Sequence, residues 1–259
     1  MKKVLIIGYG DIGGRIAARL PKQEFIGISR SAPAYLPNVE FIQQDWKNEF
    51  KFSLSSLDFS TIVLILKPTL PGIDGYHQGF LDASSQIMGF INNNISYEKL
   101  LIVTSTRVYG LGNGRDITEA VKPLPDDEQA RIILEYEEFV SRESKIEPLI
   151  LRPSGLYDEQ KHWMTKHVTA FDGKKYPLRF AEANVFSRAN LALVIANYIC
   201  NKELAHMSGP LICSEQTQKY SEIFSLVCSN YSFEDFFISS DKIGKSFDPQ
   251  KLLDSGLMR

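Results

Sequence analysis

Short apolar runs that end at or near glycine, proline or serine recur along the N-terminal part of the chain. They occupy residues 4–7, 25–28, 41–42, 62–66, 100–103 and 149–151. Runs without polar alternation are typical of strands that are buried on both faces, and such strands form parallel sheets. The pattern therefore predicts a parallel sheet whose strands follow one another along this part of the chain.

Helix-like stretches lie between these runs. They include residues 12–20, 76–91 and 127–140, the last of which is acidic and amphipathic. Because strands and helices alternate, the sequence predicts an α/β fold with a doubly wound parallel sheet and right-handed crossovers.

The regular alternation stops after about residue 155. A helix over residues 188–198, a strand over 210–213 and a helix over 220–227 follow a less regular stretch. We therefore assign residues 1–155 to the sheet domain and residues 156–259 to a small C-terminal substrate-binding lobe, whose last strand and helices pack on the core of the sheet domain. Ligands of such sheets bind at the carboxyl edge, so a lobe there would form one wall of a substrate pocket.

The first predicted strand leads directly into a Gly-x-Gly-x-x-Gly sequence and then into a predicted helix. Gly8 permits a tight turn, Gly10 lets the backbone approach a pyrophosphate, and Gly13 lets the helix pack closely on the strand. Free N–H groups at the start of the helix would meet the phosphates. A purely structural glycine turn is the alternative. We predict a Rossmann-type NAD(P)-binding domain whose pyrophosphate contacts are Gly8, Tyr9, Gly10, Asp11, Ile12 and Gly13.

The end of the second strand bears on the choice between NAD and NADP. An acidic residue there would bind the ribose hydroxyls of NAD, but this chain has Arg30 and Ser31. An arginine suits a 2′-phosphate, so NADP is preferred over NAD, unless Arg30 is simply a solvated loop residue. After the third strand, Asp45 and Trp46 are assigned to the adenine pocket, although Asp45 could equally cap the next helix.

The composition of the chain excludes several classes of binding partner. A net charge of −2 with mixed signs gives no basic surface for nucleic acid or membrane lipid, so we expect neither partner. Three cysteines without metal-type spacing, and no apolar stretch of signal-peptide or membrane-spanning length, favour the cytoplasm. The four histidines are scattered, so no metal is expected. A small-molecule substrate remains the expected partner, and a homodimer is allowed for.

Taken in order, several segments resemble the extended short-chain dehydrogenase/reductase family, in an atypical, epimerase/dehydratase-like form. The glycine turn and the Thr-Ser-Thr-Arg-Val-Tyr-Gly stretch that follows the fifth strand carry most of this resemblance. The remaining matching segments are residues 44–47, 117–125, 151–157 and 244–257. The resemblance covers nearly the whole chain.

The resemblance also implies a site. Its substrate-orienting serine or threonine corresponds to Ser105, the candidate catalytic residue, since a hydroxyl at the end of a central strand faces the nicotinamide. Alternatively, Ser105 only satisfies a backbone group at the strand end. The predicted cofactor site further includes residues that follow the predicted strands, namely Lys67, Pro68, Thr104 and Pro153.

One departure from the family concerns its Tyr-x-x-x-Lys pair, which exchanges a proton with substrate. If Glu137 corresponds to the glutamate after the family's lysine, Gln129 stands at the tyrosine position and Ile133 at the lysine position. The usual pair is then absent. Tyr136 shares a face with apolar residues and is interpreted as core, and the literal Tyr-x-x-x-Lys at residues 157–161 is interpreted as coincidence because it follows the sixth strand.

Two functions are compatible with this pattern. The first is an NAD(P)-dependent oxidoreductase, epimerase/dehydratase-like, that acts on a small hydroxylated or carbonyl metabolite such as a nucleotide sugar. Lys161, His162 and Lys166 could hold an anionic substrate, or belong to a solvated helix with Trp163 packed inward. The second is a non-catalytic NADP-binding redox sensor. A pocket around Ser105 would favour the enzyme, and a flat surface the sensor.

Overall fold

The computed structural model describes residues 2–31, 34–45, 54–111, 114–158 and 161–259. Its main element is a sheet of seven parallel strands in the order β3-β2-β1-β4-β5-β6-β11. Their bounds are β1 Lys3–Ile7, β2 Phe25–Ser29, β3 Val39–Gln43, β4 Asp58–Leu64, β5 Ser96–Val103, β6 Leu149–Pro153 and β11 Gly209–Cys213. Three short pairs complete the strands: β7 Gly155–Tyr157 with β10 Val185–Ser187, β8 Tyr176–Pro177 with β13 Phe237–Ile238, and β9 Glu182–Ala183 with β12 Gln218–Lys219.

The described helices flank this sheet or follow it. They are α1 Asp11–Arg19, α2 Ile73–Tyr76, α3 Ala83–Asn94, α4 Glu128–Glu143, α5 Trp163–Thr169, α6 Arg188–Cys200, α7 Tyr220–Val227, α8 Phe233–Phe236 and α9 Gln250–Asp254. A π-helical turn, His77–Asp82, joins α2 to α3, and a short 3₁₀ helix, Thr106–Tyr109, follows β5.

Each face of the sheet is covered by its own set of helices. On one face, buried residues of α3 and α4 such as Ile87 and Ile133 pack against Leu5 and Ile102. On the other face, α1 and α6 pack against alternate residues of the same strands, such as Ile6. This two-sided burial explains why the strands read as uninterrupted apolar runs. The predicted doubly wound α/β fold is confirmed.

The fourth strand begins and ends earlier than its apolar run suggests. The run predicts residues 62–66, whereas β4 is Asp58–Leu64. Thr61 is fully buried within it, so a polar residue occupies a core position that the apolar pattern excludes.

The C-terminal part of the chain divides between two cores. Helix α6 and strand β11 belong to the sheet domain, because their apolar residues pack with those of β1 and α1. Helices α5, α7 and α8, together with strands β8, β9, β12 and β13, surround a separate aromatic-rich core and are called the lobe below. Among the described residues, no helix combines the length and apolar character needed to cross a membrane.

The Tyr9 ring joins α1 to the sheet. It is 1% exposed, and a Cβ atom added to Gly13 or to Gly27 would lie 2.7 Å or 2.6 Å from it. The absence of a side chain at both glycines therefore makes room for the ring. Gly14, the next residue of α1, has no atom within 4 Å of such a Cβ.

These contacts predict opposite effects of alanine at adjacent positions of α1. Gly13→Ala should lower the free energy of unfolding by about 1–3 kcal/mol, because the Tyr9 ring also packs closely on Gly27 and cannot move away from the added methyl group. Gly14→Ala, the matched control, should stabilise by up to about 1 kcal/mol through helix propensity. Urea denaturation measures both, and equal midpoints for the two variants would contradict this packing.

Candidate functional site

The turn between β1 and α1 is fixed by the backbone on both sides. Gly8 has φ +89°, and a Cβ there would lie 2.1 Å from the carbonyl oxygen of Ile65. On the other side, the N–H groups of Gly8 and Tyr9 donate to the carbonyl of Ile28 at 2.9 and 3.0 Å. Only glycine fits at this position, which gives the first glycine of the motif a steric reason.

The start of α1 presents backbone N–H groups that have no acceptor within the described part of the chain. The N-terminal residue Gly10 supplies no side-chain cap, and a Cβ on it would meet nothing nearer than 3.9 Å. The N–H groups of Asp11, Ile12 and Gly13 lie in the first turn, where no intrahelical acceptor exists. The Tyr9 side chain points into the core, so only its backbone belongs to the loop surface. The arrangement suits an anion such as a pyrophosphate.

Asp11 brings a negative charge to this end of α1, and two arginines offset it. Arg15 Nε lies 3.1 Å from both carboxylate oxygens, and Arg188 lies 3.5 Å from one of them. Arg15 also pairs with Asp158, beyond β7. The helix end is therefore balanced in charge.

The predicted ribose and adenine residues lie at the ends of β2 and β3. The guanidinium of Arg30 has no hydrogen-bond or ion-pair partner in the described part of the chain, while its carbonyl accepts from Gln43 at 2.9 Å. The Ser29 hydroxyl donates to the Ser31 carbonyl at 2.9 Å. Asp45 is half-buried just after β3. Trp46 lies outside the described residues.

The other predicted cofactor residues follow β4, β5 and β6. Lys67 is exposed and Pro68 half-buried, and their backbone lies against Gly79, whose added Cβ would be 2.3 Å from the Lys67 carbonyl oxygen. Thr104 directly follows β5, and Pro153 ends β6. All of these positions belong to the carboxyl edge of the parallel sheet, where the glycine turn also lies.

A cleft of about 630 Å³ lies between this edge and the lobe. Thr104, Ser105 and Pro153 line it from the sheet side, and Arg179 and Tyr220 from the lobe side. Tyr109 lies behind this wall, 6% exposed. The surface at Ser105 is thus concave rather than flat.

The Ser105 hydroxyl can make two kinds of hydrogen bond at this cleft. Its Oγ accepts from the Arg107 N–H at 3.1 Å and caps the 3₁₀ helix Thr106–Tyr109, which is the backbone role given above as its alternative. A hydroxyl that accepts one bond still has a proton to donate. The same side chain can therefore hold the turn and offer a donor to the cleft.

A buried ion pair supports the wall of the cleft. Arg152 Nη2 lies 2.6 Å from Glu137 Oε2, and both side chains are almost fully buried. Thr104 donates to the same carboxylate at 2.7 Å, and Arg152 donates to the Tyr109 hydroxyl at 2.8 Å. The network links α4, β5, β6 and the 3₁₀ helix.

The positions assigned to the missing pair offer no replacement. Ile133 is 3% exposed in the core, and Gln129 is half-buried and not among the described residues that line the cleft. Tyr136 is fully buried, which raises the pKa of its hydroxyl strongly.

The segment proposed to hold an anionic substrate lies elsewhere. His162 is 2% exposed and its Nδ1 accepts from the Met164 N–H at 3.3 Å, which caps α5. Burial lowers the pKa of His162. Lys161 and Lys166 are exposed, and neither is among the described residues that line the cleft. Trp163 is 40% exposed rather than packed inward.

Sequence reasoning missed several cleft residues. Lys245 reaches the cleft from the end of the chain, Ser154 presents a buried hydroxyl with no partner among the described residues, and Arg107 pairs with Asp127 at 2.7 Å. Arg107 and Ser154 stand in matched segments next to predicted strands of the sheet, so their positions pointed to this edge, whereas the matched segment 244–257 that holds Lys245 follows no such strand. No spacing in the sequence connects Lys245 to β5.

Comparison with known proteins identifies structures with a similar fold, but no family model or curated protein with a matching sequence. No protein-family model matches the sequence, and no curated protein matches it. Among solved structures, a Bacillus cereus UDP-glucuronic acid 4-epimerase in complex with UDP-glucuronic acid and NAD has a TM-score of 0.78 at 16% identity, over 99% of this chain and 93% of that one.

Two further structures agree. A Methylobacillus flagellatus protein whose name places it among the NAD-dependent epimerases and dehydratases has a TM-score of 0.74 at 20% identity, over 98% of this chain and 92% of that one. A UDP-N-acetylglucosamine 4-epimerase from Methanobrevibacter ruminantium M1, in complex with UDP-N-acetylmuramic acid, has a TM-score of 0.72 at 17% identity, over 98% and 92%. The chain has the fold of the NAD-dependent epimerases and dehydratases. The resemblance read from its motifs is confirmed at the level of fold.

The buried ion pair yields a stability prediction. Glu137→Gln should lower the free energy of unfolding by about 3–5 kcal/mol, because it leaves the Arg152 charge buried without its counter-charge. Chemical denaturation provides the measurement. The neighbouring exposed Glu138→Gln is the control and should change stability by less than about 0.5 kcal/mol. A small effect at Glu137 would mean that water reaches the pair.

Proposed function

We propose that this protein is an NAD(P)-dependent oxidoreductase of the epimerase/dehydratase-like kind. One observation carries the proposal: a glycine turn at the start of α1 and a concave cleft containing Ser105 occupy the same edge of one sheet. A dinucleotide that starts at the turn would extend along this edge toward Ser105.

The residues present fit such a cofactor. The open space above Gly10 and the N–H groups at the start of α1 suit the pyrophosphate, and Asp45 suits the adenine amino group. Lys67, Pro68, Thr104 and Pro153 would border its nicotinamide half. When bound, a nicotinamide supplies hydride donation or acceptance, and the protein supplies orientation and charge.

NADP is the preferred cofactor in this proposal. The end of β2 offers the guanidinium of Arg30, which has no partner among the residues that the structure describes, and Ser31 beside it, where a carboxylate would select NAD. The compared Bacillus cereus structure contains NAD. The proposed preference for NADP is therefore argued from residues of this chain and not from that structure.

Arg30→Ala tests the cofactor preference. It should weaken NADPH binding roughly tenfold to a hundredfold, because that is the contribution of one hydrogen bond to a charged group to the binding constant. NADH binding should be unchanged. Isothermal titration with each cofactor measures the constants. Arg142→Ala, an exposed arginine near the end of α4, is the control. Equal affinities of the unmodified protein for NADPH and NADH would remove the proposed preference.

The substrate in this proposal is a small hydroxylated or carbonyl compound. Ser105 would donate its free hydroxyl proton to the reacting oxygen as a hydrogen bond and so fix the carbon that exchanges hydride. A nucleotide sugar is a specific candidate, supported by the ligands of the compared structures and by the size of the cleft. Arg179, an exposed cation of the lobe wall, would suit an anionic part of such a substrate.

Ser105→Ala tests the role of the hydroxyl. With a carbonyl compound that the unmodified protein reduces, kcat should fall about 10²- to 10³-fold, because a donor to the developing negative charge is lost. The Kd of NADPH should stay the same. Loss of NADPH absorbance gives the rate, and Ser141→Ala on the exposed side of α4 is the control. An unchanged kcat would leave Ser105 with its backbone-capping role alone.

A non-catalytic NADP-binding sensor is the second candidate. The observation that favours it is the placement of Ile133 in the apolar core, so α4 brings no proton-exchanging group to the cleft from that position. NADPH binding without oxidation across a broad panel of carbonyl compounds would support the sensor over the enzyme.

A further inference from the structure

The side-chain ammonium of Lys245 lies beside the turn that carries Ser105. Its Nζ donates to the carbonyl of Thr106 at 3.1 Å and to the carbonyl of Gly110. These two carbonyls bracket the 3₁₀ helix that Ser105 caps. Lys245 also lines the cleft, together with Ser105 and Thr106. An ammonium has three N–H donors, and the backbone takes two, so one remains for the cleft.

The charges around Lys245 do not pair with it. Arg107, Asp127 and Asp126 are the groups that act on it, and Asp127 is already paired with Arg107. The Asp126 carboxylate accepts from the Leu111 N–H at 2.7 Å. From the C-terminal segment, the Phe247 ring lies under the ammonium, 5.4 Å from its centroid. Burial lowers the pKa of Lys245 to about 8, with a smaller lowering by Arg107, while Asp126 and Asp127 oppose it.

The other ionisable side chains in the described lining of the cleft are poorly suited to donating a proton at neutral pH. Arg107 and Arg179 stay protonated. Arg107 lowers the pKa of Asp127, and burial raises the pKa of Tyr220. The Glu182 carboxylate is held by Arg115 at 2.7 Å.

We propose that Lys245 is the proton donor of the cleft, giving its proton to the substrate oxygen that Ser105 holds. This inference rests on the proposed oxidoreductase function. A bound reduced nicotinamide would supply hydride to the carbonyl carbon. As the C=O π bond breaks, one N–H bond of Lys245 breaks and an O–H bond forms on the substrate oxygen. The products are an alcohol, the oxidised nicotinamide and a neutral amine, which takes a proton from water before the next turnover.

Three variants separate proton donation from structural support. Lys245→Arg can donate to both backbone carbonyls but cannot release a proton, whereas Lys245→Met loses both functions. Lys242→Met, on the exposed part of the same segment, is the control. Each variant is first compared with the unmodified protein by thermal unfolding and NADPH titration, so that loss of fold or cofactor binding is recognised.

The first measurement is NADPH oxidation with a panel of small aldehydes, ketones and UDP-glucose-derived keto sugars from pH 6.5 to 10. We expect kcat of the unmodified protein to fall as the pH rises through about 8, because the donor must be protonated. Both Lys245 variants should lose about 10²- to 10⁴-fold in kcat and keep their NADPH affinity, with Lys242→Met unchanged. Normal turnover by Lys245→Arg would overturn the proposal.

The second measurement does not need turnover. Reductive methylation with ¹³C-formaldehyde labels the lysines, and the NMR signal missing in Lys245→Arg identifies Lys245. Its titration should centre near pH 8. A midpoint above 10 would overturn the proposal. Lys245 could titrate near pH 8 while none of the tested carbonyl compounds causes the unmodified protein to oxidise NADPH. In that case the proposed oxidoreductase function is wrong, and so is the proposed proton transfer.

Discussion

The close approach of three backbone segments at the β1–α1 turn is the constraint on which the candidate site depends. Gly8 lies against the Ile65 carbonyl, and its N–H group and that of Tyr9 bond to the Ile28 carbonyl. The turn is therefore fixed to β2 and β4 before any ligand arrives. Since Arg30 directly follows β2 and Lys67 lies shortly after β4, the same contacts set where the predicted ribose and nicotinamide residues lie relative to the N–H groups at the start of α1.

The cleft is completed by parts of the chain that are distant in sequence. Ser105 and Pro153 come from central strands, while Lys245 returns from near the C-terminus to the carbonyls of the turn after β5. Elsewhere the Glu119 carboxylate accepts from the Ile212 N–H at 2.8 Å, so the loop before α4 is tied to the edge strand β11. The sheet thus provides the floor of the site, and long-range polar contacts decide which side chains stand around it.

Local physics explains which features the sequence could predict. Buried strands and the glycine turn leave local patterns, so the sheet, its alternation with helices and the positions at its carboxyl edge were predictable. The start of the fourth strand was predicted too late because Thr61 is polar yet fully buried. The buried orientation of the Tyr9 side chain depends on Gly27, on another strand, and the arrival of Lys245 depends on the whole C-terminal path. Neither has a local signal, because both arise from contacts between segments far apart in the chain.

The missing Tyr-x-x-x-Lys pattern on α4 changes what that helix does. Its inner face carries Ile133 and Tyr136 into the apolar core, and its one buried charge, Glu137, is used by Arg152 and Thr104. A helix whose inner face is used for packing and for a satisfied ion pair is a rigid support, and that face offers the cleft no free group to exchange protons. Any proton chemistry in this cleft must then enter from another element, and a cleft closed by the C-terminal segment provides a physical route for it. The absence of the pair from α4 is therefore compatible with the proposed function, provided that the segment proposed to supply the proton is held as firmly as α4 is.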